Sequence, residues 1–305
     1  MFTKLAEQII FLFDVDGVIA ETPHEQAWKA AAVEWGIIDE SFNFTSFYAT
    51  KIAGEPGEAG AYHILNELQT TLGKSYFEKH GIADEAQKIT KAKEFRSPVK
   101  MHYMSRLIED GQFEVFDDIG KIILEAKSAG IPVGAVSSSE MAQLILQRIN
   151  ALQLAQEVDV PYTYQDEDTS LYGVFDSTTL GIQTQWHNIN MEKSYHYCCA
   201  RGMLIEARKW IRGNSNKNIP YVIVFEDAPK GIRAISPIDF YCIGISRISS
   251  SGVQLASKKT LIDAGAIIAY DEDELKNMTL NKLLEVLAEQ LLERNDRETS
   301  LKDDC

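Results

Sequence analysis

Basic residues are scarce: 30 Lys and Arg stand against 45 Asp and Glu, giving a formal net charge of −15 and a pI near 4.9. Such a chain has no broad cationic surface for neutralising a phosphate backbone, which argues against nucleic-acid binding. A phosphate-bearing ligand would instead be drawn by a metal ion and a few local cations. Cysteine is sparse too. Cys198, Cys199, Cys242 and Cys305 have neither the number nor the spacing of a disulfide framework or a zinc site, and a reducing, cytoplasmic setting fits them best. Long apolar runs are missing: none approaches the roughly 20 residues of a membrane span. The N-terminal apolar stretch is short and flows straight into Asp14, unlike a signal peptide. Composition leaves export as an effector open, and it does not fix the oligomeric state. No internal repeat or low-complexity tract interrupts the chain. What is present is 305 residues, 45% hydrophobic and 25% charged, enough for one large globular domain with a smaller one appended.

Five short apolar runs recur, at Ile9 to Phe13, Ile131 to Val136, Tyr221 to Phe225, Phe240 to Ile245 and Ala266 to Tyr270, and read as parallel strands. Helical stripes lie between them, for example Ile119, Ile122, Ile123 and Ala126, then Met141, Leu144, Ile145 and Ile149. Asp117 or Asp118 is placed to cap the first of these helices, and Gly130 to end it. Alternating strands and helices predict an α/β fold with a Rossmann-like parallel sheet and ligands at the carboxyl ends of its strands. Residues 22–114 break the alternation with helical patterning alone, including Trp28, Ala31, Ala32 and Trp35, then Ile64, Leu65, Leu68 and Leu72. The expected organisation is therefore a core of residues 1–21 and 115–305 carrying an inserted helical domain, 22–114, hinged beside Asp14. Within the core, residues 275–305 read as a final helix, Leu275 through Leu292, with a polar tail from Glu293; its leucines are expected to pack on the sheet domain.

The chemistry gathers at three strand ends. Phe13-Asp14-Val15-Asp16-Gly17-Val18 delivers two acids, spaced i, i+2, where a buried strand must turn. The first can attack an electrophile while the second reaches round as proton donor and acceptor. A calcium loop would want a Glu further on in a polar stretch, and Val18, Ile19 and Ala20 follow instead. Val136-Ser137-Ser138-Ser139 places a hydroxyl and backbone amides where a helix starts, a setting suited to an oxyanion. Val224-Phe225-Glu226-Asp227-Ala228-Pro229 brings two carboxylates able to hold a magnesium ion against a phosphate. His24 reads as a packed hinge residue. Lys51, Lys93 and Arg96 are positioned either to meet distal groups of a substrate or to form a solvated face.

These three motifs together resemble those of the haloacid dehalogenase superfamily, in the branch of β-phosphoglucomutase and related sugar-phosphate phosphatases. The resemblance spans nearly the whole chain, with further echoes in His24-Glu25-Gln26-Ala27-Trp28, Ala53-Gly54-Glu55-Pro56-Gly57 and Gly244-Ile245-Ser246-Arg247. It implies a sheet core with a helical cap, Asp14 as nucleophile and Asp16 as acid and base. It also implies magnesium held by Asp14, the Asp16 backbone carbonyl and Asp227 with Glu226 assisting, and a phosphoryl group held by Ser137 and the amide of Ser138. Lys193 is the preferred motif-three lysine, with Lys209 and Arg201 as competitors, because the usual Lys-Pro context is absent. Glu55 follows Gly54 where family members usually carry a basic residue. The implied activity is magnesium-dependent hydrolysis of a small phosphorylated metabolite such as a sugar phosphate. The alternatives are a phosphosugar mutase and a catalytically weak scaffold that binds or regulates.

Overall fold

The computed structural model describes residues 5–53, 55, 57–68, 73–163, 168–180, 221–235, 240–250, 252, 254 and 256–303, with side chains described as far as 291. Its centre is a six-stranded sheet of β1 (Ile9–Asp14), β4 (Val133–Ser137), β5 (Ser177–Leu180), β6 (Tyr221–Glu226), β7 (Tyr241–Ser246) and β8 (Ile268–Asp271). The order is β5-β4-β1-β6-β7-β8 and every neighbouring pair is parallel. All six residues of β1 are buried, which is what a central strand covered on both faces requires.

Alternation along β1 sorts its side chains between two apolar layers. Ile9, Phe11 and Phe13 join α7 (Asp117–Ser128), α8 (Ala142–Arg148), α9 (Ala151–Glu157), α10 (Leu171–Val174) and the C-terminal helix on one face. Ile10 and Leu12 face α11 (Pro229–Ile235) and α12 (Lys258–Asp263) on the other. Phe13 stacks on Phe225 at 4.4 Å between ring centroids, a contact that contributes about 1 kcal/mol beyond its buried area. It ties β1 to β6 one residue before the acids that end both strands.

Between β1 and β4 the chain leaves the sheet. A ribbon of β2 (Ala20–Glu21) and β3 (Glu114–Val115) pairs antiparallel, Ala20 opposite Val115 and Glu21 opposite Glu114. The excursion holds α1 (His24–Glu34), α2 (Thr45–Lys51), α3 (Gly57–Glu67), α4 (Tyr76–Lys79), α5 (Glu85–Glu94) and α6 (Met101–Glu109). These helices bury their own apolar cluster, with Trp28, Phe44, Ile64, Leu65, Phe77 and Phe95 at its heart. Leu72 lies outside the described residues.

Three local expectations need correction. Neither Asp117 nor Asp118 caps α7: Phe116 occupies the cap position, and the Asp118 carboxylate instead takes a two-pronged ion pair from Arg247, at 2.5 and 3.0 Å. The C-terminal helix is not continuous from Leu275. A short α13 (Glu272–Lys276), started by the capping box of Asp271 and Glu274, stops before Asn277, and α14 begins at Leu280. That last helix runs on to Asp303, where a polar tail was expected. Leu283, Leu284, Leu287 and Leu291 are buried, the first three of them in the layer beneath the sheet.

Candidate active site

Strand register brings the acids together. Phe13 pairs with Phe225, so Asp14 and Glu226 end neighbouring strands side by side, with Asp227 one residue further on. On the opposite flank Asp14 pairs with Val136, which leaves Ser137 just beyond it at the end of β4. Carboxylate oxygens of Asp14, Glu226 and Asp227 lie within 4.8 Å of one another. Among the described residues this is the one cluster of three or more His, Cys, Asp or Glu side chains able to converge on an ion. Asp14 and Glu226 are buried, and like charges held so near one another out of water are relieved by a shared proton or by a cation between them. Hard oxygen donors of this kind fit magnesium.

Two glycines make the packing possible. Gly17 has φ +80°, and a Cβ there would stand 2.1 Å from Oδ2 of Asp227. A Cβ at Gly231 would stand 2.1 Å from the carboxyl carbon of Glu226, and one oxygen of that carboxylate accepts from the Ala228 amide at 3.1 Å. The turn after β1 and the first turn of α11 are thereby pressed against the acids. Asp14 Oδ1 accepts from the Val15 amide at 2.8 Å, and the Ser137 hydroxyl, buried, accepts from the Ser139 amide at 3.2 Å. Ser138 is exposed at the mouth of the strand end. Lys193 lies outside the described residues, as do its competitors Lys209 and Arg201.

Asp16 turns its side chain away from that trio and toward the helical excursion. His24 Nε2 stands 3.4 Å from its Oδ2, and Lys100 Nζ stands 2.9 Å from His24 Nδ1. While Lys100 is charged it can only donate, and in that state Nδ1 accepts and the imidazole proton sits on Nε2, facing Asp16. Burial pulls the Asp16 pKa upward, but His24, Thr22 and Lys100 together outweigh it and hold the carboxyl below its usual range. His24 is held down by burial, and the neighbouring Lys100 and Arg96 add to this against the pull of Asp16. Burial likewise drives Lys100 down to about 7, even though Asp16 and Glu140 favour its charged form. Its ammonium also lies 5.2 Å from the centre of the Trp28 ring. Tyr48 sits close enough that burial, then Asp16, Glu25 and Asp227, keep its phenol protonated well above the ordinary value.

His24, read from the sequence as a packed hinge residue, is partly buried and bridges Asp16 to a buried lysine. Lys100 and Tyr48 belong to no motif. The available signal for Lys100 is its place on the buried stripe with Met104 and Ile108, where a charged residue is out of character. Of the three other cations singled out in this segment, Lys51 pairs with Glu67 at 2.7 Å and Lys93 is exposed. Arg96 instead reaches the core and pairs with Glu140 at 2.8 Å. A second bridge of opposite polarity joins Glu55 of the excursion to Lys230 of α11.

Comparison with known proteins agrees with this architecture. The sequence profile of haloacid dehalogenase-like hydrolases matches residues 10–171, just over half of the chain. No curated protein sequence matches. Among solved structures, the archaeal β-phosphoglucomutase from Pyrococcus sp. strain ST 04 is 25% identical, with a TM-score of 0.63 over 92% of this chain and 99% of that one. CbbY from Rhodobacter sphaeroides, solved with phosphate, is 18% identical with a TM-score of 0.55, over 88% and 95% of the two chains. The β-phosphoglucomutase of Clostridium difficile is 18% identical with a TM-score of 0.53, over 93% and 98%; at 18% identity these last two likenesses speak for the fold alone. A parallel sheet with acids at the ends of β1 and β6, and a profile match that begins inside β1, lead to one assignment: the chain belongs to the haloacid dehalogenase-like hydrolase family.

Proposed function

We propose that this enzyme is a magnesium-dependent phosphatase that hydrolyses a small phosphorylated metabolite, a sugar phosphate, through an aspartyl-phosphate on Asp14. The observation that carries this reading is the convergence of the Asp14, Glu226 and Asp227 carboxylates within 4.8 Å at the ends of adjacent strands. Asp14, Asp227 and the Asp16 backbone carbonyl would hold the magnesium ion, with Glu226 assisting. Bound there, it supplies positive charge against the oxygens of the transferring phosphoryl group.

In the first step an Asp14 oxygen forms a bond to phosphorus as the bond to the ester oxygen breaks, and Asp16, having taken up a proton against the pull of His24 and Lys100, gives that proton to the leaving oxygen. In the second, ionised Asp16 takes a proton from water, whose oxygen bonds to phosphorus while the bond to Asp14 breaks and inorganic phosphate departs. The Ser137 hydroxyl and the Ser138 amide hold phosphoryl oxygens in both steps. His24 and Thr22 orient Asp16. Residues 22–114 act as a cap that excludes water from the reacting atoms. A cytoplasmic setting accords with the buried free thiol of Cys242, and no helix among the described residues is long and apolar enough to cross a membrane.

The Asp14→Asn variant tests the assignment. With magnesium present, phosphate release from a sugar phosphate should fall by about a thousandfold or more, and wild-type turnover by the purified variant would refute it. Likeness to the Pyrococcus β-phosphoglucomutase favours a second reading, a phosphosugar mutase. Incubation with β-glucose 1-phosphate separates the two: free phosphate supports hydrolysis, and glucose 6-phosphate without free phosphate supports the mutase.

A further inference from the structure

Resting on the phosphatase reading, we infer that this enzyme selects monophosphates whose distal end is uncharged and hydroxyl-bearing, and rejects substrates with a second anionic group. The basis is the pair of bridges between the helical excursion and the sheet. Glu55 with Lys230 lies on the β6 side, since Lys230 follows Asp227 by three residues. Arg96 with Glu140 lies on the β4 side, since Glu140 follows Ser137 by three. β4 and β6 flank β1, so the two bridges stand on either side of Asp14. Arg96 and Glu140 are also within electrostatic reach of Lys100, the residue that contacts His24.

Each bridge neutralises the cation that could otherwise greet an anion. A second phosphate or a carboxylate would have to displace Glu140 from Arg96 or Glu55 from Lys230, then remain beside the carboxylate it displaced. A hydroxyl meets no such obstacle: it accepts from the guanidinium and donates to the carboxylate, and no charge loses its partner. Arg96 and Glu140 keep 21% of their side chains exposed, open enough to be reached by a ligand and covered enough to hold position. Gly57 fixes the arginine further, because a Cβ there would come within 2.4 Å of its Nε. The same arrangement disfavours a mutase, whose bisphosphorylated sugar would press its second phosphate on these two acids.

The test uses the full-length protein with magnesium and follows phosphate release from glucose 1-phosphate, glucose 1,6-bisphosphate, phosphoglycolate and p-nitrophenyl phosphate. Wild type should favour the monophosphorylated sugar over the bisphosphate and the carboxylated ester by at least tenfold in kcat/KM. Glu140→Gln and Glu55→Gln should each narrow that ratio severalfold, with folding of each variant checked by its circular dichroism melt. Wild-type preference for the bisphosphate or for phosphoglycolate overturns the inference whatever the variants do, as does a ratio that neither substitution moves in folded protein. If p-nitrophenyl phosphate is hydrolysed in that case, the phosphatase reading stands. Release from none of the esters overturns both.

Discussion

Replacing Lys100 by Met removes a charge that folding buries, and the effect on stability has a sign fixed by the site. The unfolded chain keeps the lysine near 10.5, whereas in the folded protein burial brings it to about 7. Between those values the unfolded state binds more protons than the folded one, so the penalty is full below pH 7 and disappears as pH rises through 10.5. Each pH unit is worth about 1.4 kcal/mol, which sets a ceiling of about 5 kcal/mol over the whole interval. Methionine matches the length of the stem and fits beside Trp28 and Met104 without a charge to desolvate. Urea denaturation of wild type and Lys100→Met at pH 7, 8, 9 and 10 reads the difference directly, because groups remote from Lys100 contribute alike to both proteins and the two it perturbs, Asp16 and His24, are held below their ordinary values and so below this range. The variant should be the more stable at pH 7 by a few kcal/mol, with wild type gaining on it steadily toward pH 10. Parallel stability curves would show that the ammonium is not desolvated and would refute the reasoning.

Asp118→Ala leaves the buried Arg247 guanidinium without its carboxylate, and the contact with the Phe116 ring at 3.8 Å supplies no counter-charge. Loss of one partner of a buried pair costs about 3–5 kcal/mol, to be read from urea midpoints. Gly17→Ala forces a left-handed backbone on a residue with a side chain and drives its Cβ into Asp227. Stability should fall by about 1–3 kcal/mol, and calorimetry should record weaker magnesium binding. Gly231→Ala, which crowds Glu226 while keeping an ordinary φ, should weaken magnesium binding with a smaller loss of stability. Chelation by EDTA should stop phosphate release, and added magnesium should restore it; turnover that persists through exhaustive chelation would contradict the assigned ion.

The strands that reached into both apolar layers were legible because burial on two faces leaves an unbroken apolar run, as in Ile9 to Phe13 and Tyr221 to Phe225. β5 escaped notice for the opposite reason. Ser-Thr-Thr-Leu is four residues long and, among the described strands, lies at the edge of the sheet and pairs with β4 alone, with Thr179 its one buried residue. The acids could be located because each ends a strand and parallel register then collects them without help from the rest of the fold. Lys100 could not, since 76 residues separate it from His24 and only the folding of the helical excursion brings the two within 2.9 Å. Capping of α7 was misjudged because Asp118 lies inside the first turn rather than before it, where its carboxylate accepts from the Ile119 amide at 2.7 Å and from Arg247, 129 residues away.

The small ribbon of Ala20–Glu21 and Glu114–Val115 has an implication for how such molecules diversify. Outgoing and returning segments lie one strand spacing apart, about 5 Å, so the chain leaves and re-enters the parent sheet through a narrow doorway, and the lobe beyond it touches the core through Met104, Ile108 and two ion pairs. A turn of a few residues joining positions 21 and 114 would close the gap, and helical lobes of other sizes could be grafted there without disturbing the pairing of β1 with β4 and β6. Exchange of that one module would rewrite selectivity while Asp14, Glu226 and Asp227 stay where the strand ends put them.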